Sequence, residues 1–214
     1  MKITWHGHSC FRLAARGLAT VVTDPYDEKV VGYGPLNLRG HIVSISQDAP
    51  AYNNEAAVKS NQRVVRGPGE YEIGNVFITA VRTNGGNKRP KGELPNTLYV
   101  FDYEGVAVAH LGNLNRVPSQ SQVEALGTVN VALVPVGGGE GLNAAKAAEV
   151  ISLLEPGIVI PMHYSTPECK IELDPLSKFL KEMGLGTINP VEELTVTPSS
   201  VPTETQVVVL DYQA

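Results

Sequence analysis

The segment Ser44-Ile45-Ser46-Gln47-Asp48-Ala49-Pro50-Ala51-Tyr52-Asn53-Asn54, SISQDAPAYNN, ends an apolar run that begins at His41 and then turns polar. An apolar run that stops at Asp, Pro and a doubled Asn reads as a strand delivering its end into a loop. Asn53 is placed to cap a short helix reaching about Lys59. The segment thus presents a strand end, a polar turn and a helix start, the local layout on which layered α/β proteins build their sites.

The same grammar extends outward. Lys2-Trp5, Ala19-Thr23, Arg63-Arg66, Val76-Val81, Thr97-Tyr103, Val106-His110, Val129-Pro135, Gly157-Ile160 and Gln206-Leu210 are β-rich runs bounded by Gly, Pro, Asp or Asn. Val131-Ala132-Leu133-Val134 and Ile158-Val159-Ile160 are apolar at every position, as strands covered on both faces are. Helices are punctuated as clearly. Asn143 caps a segment in which Ala147, Val150, Ile151 and Leu154 share one face, ended by Pro156-Gly157. Asp174-Pro175 reads as a cap with proline at the first helical position, followed by Leu176, Phe179, Leu180 and Met183 before Gly184. A weaker helix runs from about Ser119 to Leu126. Strands dominate the first half and alternate with helices in the second, which predicts a layered α/β fold.

Composition narrows the function classes. The chain has 214 residues, 43% of them hydrophobic and 18% charged, enough for a substantial core within a single domain spanning 1–214. Its net charge of −5 gives no footprint for nucleic acid, whose binders carry clustered Lys and Arg. The one dense basic stretch, Asn87-Lys88-Arg89-Pro90-Lys91, lies among breakers and reads as a solvated loop. No apolar run approaches the roughly 18 residues of a membrane span, and MKITWHGHSCF lacks the apolar core of a secretory signal, so a cytoplasmic location without membrane attachment is expected. Cys10 and Cys169, the only cysteines, are too few for a disulfide framework and are expected as reduced thiols.

Six pieces now fall into register: Gly7-His8-Ser9-Cys10-Phe11, Thr23-Asp24-Pro25-Tyr26, Gly67-Pro68-Gly69-Glu70-Tyr71-Glu72, His110-Leu111-Gly112-Asn113-Leu114, Val134-Pro135-Val136-Gly137-Gly138-Gly139 and Ile160-Pro161-Met162-His163-Tyr164. In order and spacing they resemble the small metallo-β-lactamase-fold hydrolases over nearly the whole chain. The resemblance implies an αββα sandwich with a metal site on loops at one edge. It also implies a His-x-His-x-Asp-His signature after the strand ending at Ser46, which would hold two zinc ions and acidify a bridging water to a nucleophile. Here those four positions hold Gln47, Ala49, Ala51 and Tyr52. A further family histidine is missing from Arg82 to Asn87, and the family's bridging carboxylate corresponds to Asn113. His163 is the surviving ligand of the set, and a zinc site almost always needs three or four.

The expectation is therefore a degenerate metal site with no cofactor, on a scaffold that binds a small molecule or a protein partner. The alternative is a zinc-dependent hydrolase with a site rebuilt from His8, His110, His163, Asp24 and Asp48. His8 is either a general base or a buried imidazole on a backbone carbonyl. Asp24 either orients His8 or His163, or initiates a turn with Pro25. Tyr164 and His163 are candidates for the cleft wall, His110 reads as structural, and Asp48 as a turn or cap residue. Gly137-Gly138-Gly139 reads as a tight loop beside the cleft rather than a phosphate cradle, since no Lys-Ser/Thr pair follows. A thiol mechanism would need Cys10 within reach of His8, two residues away on one face of a strand. The apolar turn Val30 to Leu36 lines a cleft, supports an oligomer interface, or simply covers the core.

Overall fold

A computed structural model describes residues 1–60, 63–83 and 92–213. Strands in chain order are β1 Lys2–Trp5, β2 Phe11–Ala14, β3 Val21–Thr23, β4 Leu38–Arg39, β5 Ile42–Ile45, β6 Val58–Lys59, β7 Arg63–Arg66, β8 Gly69–Ile73, β9 Val76–Thr83, β10 Asn96–Asp102, β11 Ala107–His110, β12 Val131–Pro135, β13 Ile158–Met162, β14 Leu194–Thr195 and β15 Gln206–Val207. The helices are α1 Glu28–Val31, α2 Gln120–Leu126, α3 Ala144–Leu154 and α4 Leu176–Glu182.

Two sheets result, ordered β14-β1-β2-β3-β5-β7 and β15-β13-β12-β11-β10-β9-β8, with β4 and β6 pairing separately. Their inner faces share one core, in which Ile3, Phe11, Leu13, Val21 and Ile42 of the first meet Ile78, Leu98, Val108 and Val131 of the second. Outside the second sheet, α2 packs on β9 and α3 on β12 and α4. A smaller apolar cluster containing Cys10, Val22, Val31, Val43 and Tyr52 covers the outer face of the first sheet. The order of layers is the αββα sandwich expected.

Two tyrosines stitch the sheets together. Tyr99 in β10 donates toward Ile45 O at 2.8 Å and Val65 O at 3.2 Å, and Tyr103 toward Leu13 O at 3.1 Å and Ala19 O at 2.8 Å. Both hydroxyls are buried where only backbone carbonyls can satisfy them.

What positions the site is strand direction. β3, β5 and β7 run parallel to one another, as do β11, β12 and β13. Their carboxyl ends therefore open at common edges, and Thr97 N donating to Ser46 O at 2.9 Å ties the two edges into one. Ligands in open α/β sheets sit at such edges.

Several local expectations need correction. Asn53 caps no α-helix: its amide donates to Asp48 Oδ1 at 2.8 Å, and only a 3₁₀ turn, Glu55–Ala57, precedes β6. The helix after Asp174 starts one residue later, with Pro175 as its cap residue, while the Asp174 carboxylate accepts from Lys178 Nζ at 2.5 Å. The basic stretch Asn87 to Lys91 lies outside the described residues, as do 84–86 of the segment searched for a histidine.

Candidate functional site

The site assembles from loops at the shared edge. His8 lies not in a strand but in the turn between β1 and β2, with φ of 48°. Gly7 makes that turn possible, because at φ of 91° any Cβ would stand 2.7 Å from the Tyr33 ring. The His8 carbonyl accepts from Trp5 Nε1 at 3.0 Å and from His163 N at 3.2 Å, which welds the turn to the loop after β13. His163 and Asp24 also hold left-handed backbone, at φ of 54° and 39°. Three chemically capable residues in a conformation that L side chains rarely adopt mark this edge as a place where the fold stores strain.

The imidazoles of His8 and His163 touch edge to face, their centroids 4.4 Å apart, and the Tyr52 ring lies tilted beside His8 at 5.0 Å. Tyr52 Oη lies 3.5 Å from His163 Nε2. Burial drives the basicity of both histidines down, His163 to about 4 and His8 well below the ordinary range, where the neighbouring His163 and His110 add to the effect. Both are thus neutral at pH 7. Burial, with Asp24 and Glu140 nearby, raises the Tyr52 phenol well above its usual range, so it stays protonated.

Beside them, two amides orient each other. Gln47 Nε2 donates to Leu94 O at 3.4 Å, and that carbonyl can only accept, so Gln47 Oε1 must be the atom turned toward Asn113. Asn113 Nδ2 donates to it at 3.1 Å, and Asn113 N donates to Asn96 Oδ1 at 2.9 Å. Asn113 Oδ1 is left buried without a partner, as are His163 Nδ1 and both ring nitrogens of His8.

Asp24 forms a second cluster behind the first. Its Oδ1 accepts from Ser46 N at 2.7 Å and its Oδ2 from Ser46 Oγ at 2.5 Å, with His110 Nε2 at 3.9 Å. Asp24 thus orients Ser46 and not His8 or His163. Burial raises its carboxyl to about 7 against the Ser46 hydrogen bonds that pull it down. His110 donates from Nε2 to Ser9 O at 2.9 Å, so Nδ1 is its bare nitrogen, and burial lowers it to about 4. That bond ties the end of β11 to the turn that carries His8.

The remaining candidates are placed elsewhere. Asp48 is exposed, bonded to Asn53 and 3.5 Å from Arg66 Nη1. Tyr164 packs on Trp5, with ring centroids 5.2 Å apart. Cys10 sits in the turn after His8, within the apolar cluster outside the first sheet, and burial pushes its thiol well above the usual range, opposite to what a nucleophile needs. Among the described residues, no group of three or more His, Cys, Asp and Glu side chains is so placed that it could hold a metal ion. Ala49 and Ala51 offer no donor, and the Gln47 and Asn113 amides are engaged with each other.

A cleft of about 400 Å3 opens directly on this arrangement, walled by Val30, Ala49, Pro50, Ala51, Leu94, Ile171 and Leu173, with Gln47, Tyr52, His163, Glu140 and Glu172 as its polar groups. An adjoining recess of about 560 Å3 shares Gln47, Leu94, Gly139 and Glu140 with it and reaches Asn113. The glycine run is the seam between loop and site: a Cβ on Gly137 would lie 2.3 Å from His163 O, and one on Gly141 3.1 Å from His163 Nδ1. Sequence reasoning missed Ser46, Asn96, Leu94 and Glu140. Ser46 and Asn96 were legible only as polar residues bordering apolar runs, and nothing local marked the other two.

Among the described residues no helix is long and apolar enough to cross a membrane. Comparison with known proteins fits the architecture. Residues 2–163 match a family model described as a beta-lactamase superfamily domain. A UPF0173 protein of Pyrococcus furiosus is 31% identical over 206 residues, covering 86% of this chain and 90% of that one. A UPF0173 metal-dependent hydrolase of Methanocaldococcus jannaschii is 25% identical over 208 residues, covering 88% and 96%. The crystal structure of a candidate Zn-dependent hydrolase of the metallo-beta-lactamase superfamily from Thermotoga maritima superposes with a TM-score of 0.81 at 37% identity, covering 99% of both chains.

Proposed function

The chain belongs to the metallo-β-lactamase superfamily, and from that premise we propose that it is a ligand-binding protein in which neutral hydrogen-bonding groups replace a dinuclear zinc centre. The observation that carries the reading is the pairing of Gln47 with Asn113. Asn113 donates to Gln47, and Gln47 to the Leu94 carbonyl, where a metal centre would demand free anionic donors. Tyr52, held protonated, and the methyl groups of Ala49 and Ala51 complete a wall without ligands. The residues present do not fit two zinc ions, so no hydrolytic step is assigned to a metal here.

A second reading, a metal-dependent hydrolase with a rebuilt site, is favoured by the names of the relatives, which support it more directly than they support the first. The unpartnered nitrogens of His8, His110 and His163 also speak for it. Against it, Asp24 is committed to Ser46 and Asp48 to Asn53 and Arg66.

Elemental analysis of untagged protein purified without chelator separates the two. The binding reading expects far less than one zinc, iron or manganese per chain and no concentration-dependent rise in melting temperature on adding zinc. A tightly held stoichiometric metal, with the stabilisation that binding to the folded state must bring, establishes the second.

A further inference from the structure

We propose that the loop of residues 138–141 is a gate across one ligand chamber, and that its opening presents His163 Nδ1 and Asn113 Oδ1 to a neutral group that accepts one hydrogen bond and donates another, a primary carboxamide. The inference rests on the metal-free reading of the site, since zinc held by His163 would leave no such neutral pair.

Three features make the loop a gate. First, it is the partition between two cavities. Gly139 and Glu140 line both the cleft of about 400 Å3 and the recess of about 560 Å3, and Gly141 lines the recess. With the tip swung aside, the apolar cleft and the polar recess become one space. Second, its construction permits that movement. Gly137 is fixed on both sides, its N–H donating to His163 O at 3.0 Å and its carbonyl accepting from Asp174 N at 2.7 Å, and Leu142 is buried at the far end. Between these anchors three of the four residues are glycine, with Gly138 and Gly139 in left-handed backbone at φ of 69° and 63°. The tip is closed by Gly141 N on Gly138 O at 3.0 Å, a bond within the loop itself. Glycines at both ends of the tip let the backbone reorient without a Cβ to obstruct it. Third, the closed position leaves buried polar atoms unsatisfied. His163 Nδ1 and Asn113 Oδ1 have no partner, on side chains 3% and 2% exposed. Gly141 lies against both: a Cβ there would stand 3.1 Å from the nitrogen and 3.2 Å from the oxygen. Sealing two such atoms penalises the closed loop, and opening lets solvent or a ligand meet them.

The same pair selects what binds. Tyr52 Oη lies 3.5 Å from His163 Nε2, and donation by the phenol, the arrangement that leaves fewest groups unpaired, puts the imidazole proton on Nδ1. Asn113 is oriented by its donation to Gln47, so Oδ1 is its acceptor. One donor and one acceptor thus wait behind Gly141. A carboxylate satisfies only the first and an ammonium only the second, whereas a carboxamide satisfies both. The cleft walls of Val30, Ala49, Pro50, Ile171 and Leu173 suit an apolar tail on that head group.

The test combines NMR relaxation dispersion with titration calorimetry on the intact chain, using hexanamide, hexanoate and hexylammonium as matched ligands. Gly139, Glu140 and Gly141 are expected to exchange on the microsecond-to-millisecond scale of loop gates, and hexanamide to quench that exchange while shifting the side-chain signals of Asn113 and His163. Hexanamide is expected to bind about ten-fold more tightly than either charged ligand. Gly141 is not in left-handed backbone, so in Gly141→Ala the methyl group acts by crowding His163 and Asn113 and favours the open loop. That variant is expected to bind hexanamide about three- to ten-fold more tightly, because less of the protein must be opened by the ligand; a glycine needed only for packing would give weaker binding. A rigid loop, equal or tighter binding of hexanoate or hexylammonium, no binding of hexanamide, or weakened binding in Gly141→Ala overturns the proposal. Dispersion and ligand ranking are read on the parent chain, so they decide even where the variant does not fold. Metal content of the same sample keeps the two failures apart: a stoichiometric metal sinks the metal-free reading, whereas metal-free protein with a rigid loop or no preference for hexanamide sinks this inference alone.

Discussion

Gln47 Oε1 accepts from Asn113 Nδ2 across 3.1 Å, joining the loop after β5 to the loop after β11 at the point where the two sheets share an edge. Asn113→Asp removes that donor and sets two acceptors face to face in a buried position. Stability measured by urea unfolding at neutral pH is expected to fall by about 2–4 kcal/mol, the cost of an unpaired buried charge. Added zinc should not restore it. Recovery with zinc would mean that enough donors surround this position to hold the ion after all.

Much of this architecture was legible in the chain, and the reasons differ by element. α3 was readable to its cap because Asn143 accepts from Lys146 N while Ala147, Val150, Ile151 and Leu154 form one buried stripe. β12 and β13 were readable because every position is buried, so no polar residue interrupts them. The short strands β2, β4, β6 and β14 were not, since each is defined by its neighbours rather than by its own pattern. At the site, the replacement of His and Asp by Gln47, Ala49, Ala51, Tyr52 and Asn113 could be read from residue types alone. That Asp24 serves Ser46 could not, because a 22-residue separation in sequence closes only when β3 and β5 pair.

Gly137 separates steric from conformational demands on glycine. A Cβ there would lie 2.3 Å from His163 O and 2.7 Å from Tyr164 Cα, both backbone atoms that cannot swing aside. Gly137→Ala is expected to cost about 2–4 kcal/mol and to shift the His163 loop. Gly17 has φ of 80° with nothing within 4 Å of its Cβ direction, so Gly17→Ala should cost only the left-handed penalty of about 1–2 kcal/mol. Thermal or urea unfolding of the pair checks the ranking, and NMR shifts at His163 should move in the first variant alone.

Tyr99 offers a measure of the inter-sheet stitching. Its hydroxyl reaches the carbonyls of Ile45 and Val65, and in Tyr99→Phe both lose their partner inside a closed core. The ring and its stack on Phe101, at 5.9 Å, remain. A loss of about 1–3 kcal/mol in urea unfolding is expected, with hydrogen-exchange protection falling first in β5 and β7, whose carbonyls lose the Tyr99 hydroxyl. An unaltered stability would mean that water takes the place of the hydroxyl at no cost.

Acid should destabilise the protein, and the buried groups set the window. His110 and His163 are lowered to about 4 from an ordinary 6.5, and burial lowers His8 and His6 as well, so on acidification the unfolded chain takes up these protons first. Stability from this source is complete above pH 6.5 and drains away as pH falls toward 4. Asp24 works the other way: raised to about 7 from 3.8, it takes its proton in the folded protein first, and so contributes stability at low pH that is lost as pH rises to 7. Four imidazoles, the half-buried His6 among them, against one carboxyl leave three protons net in favour of unfolding, a slope of at most about 4 kcal/mol per pH unit in the middle of the window. Asp24→Asn removes the opposing group and keeps an acceptor for Ser46 N, so its stability should fall more steeply with acid than that of the parent. Urea midpoints followed through the window in both proteins test this, and parallel curves would show that Asp24 is ionised in the folded state.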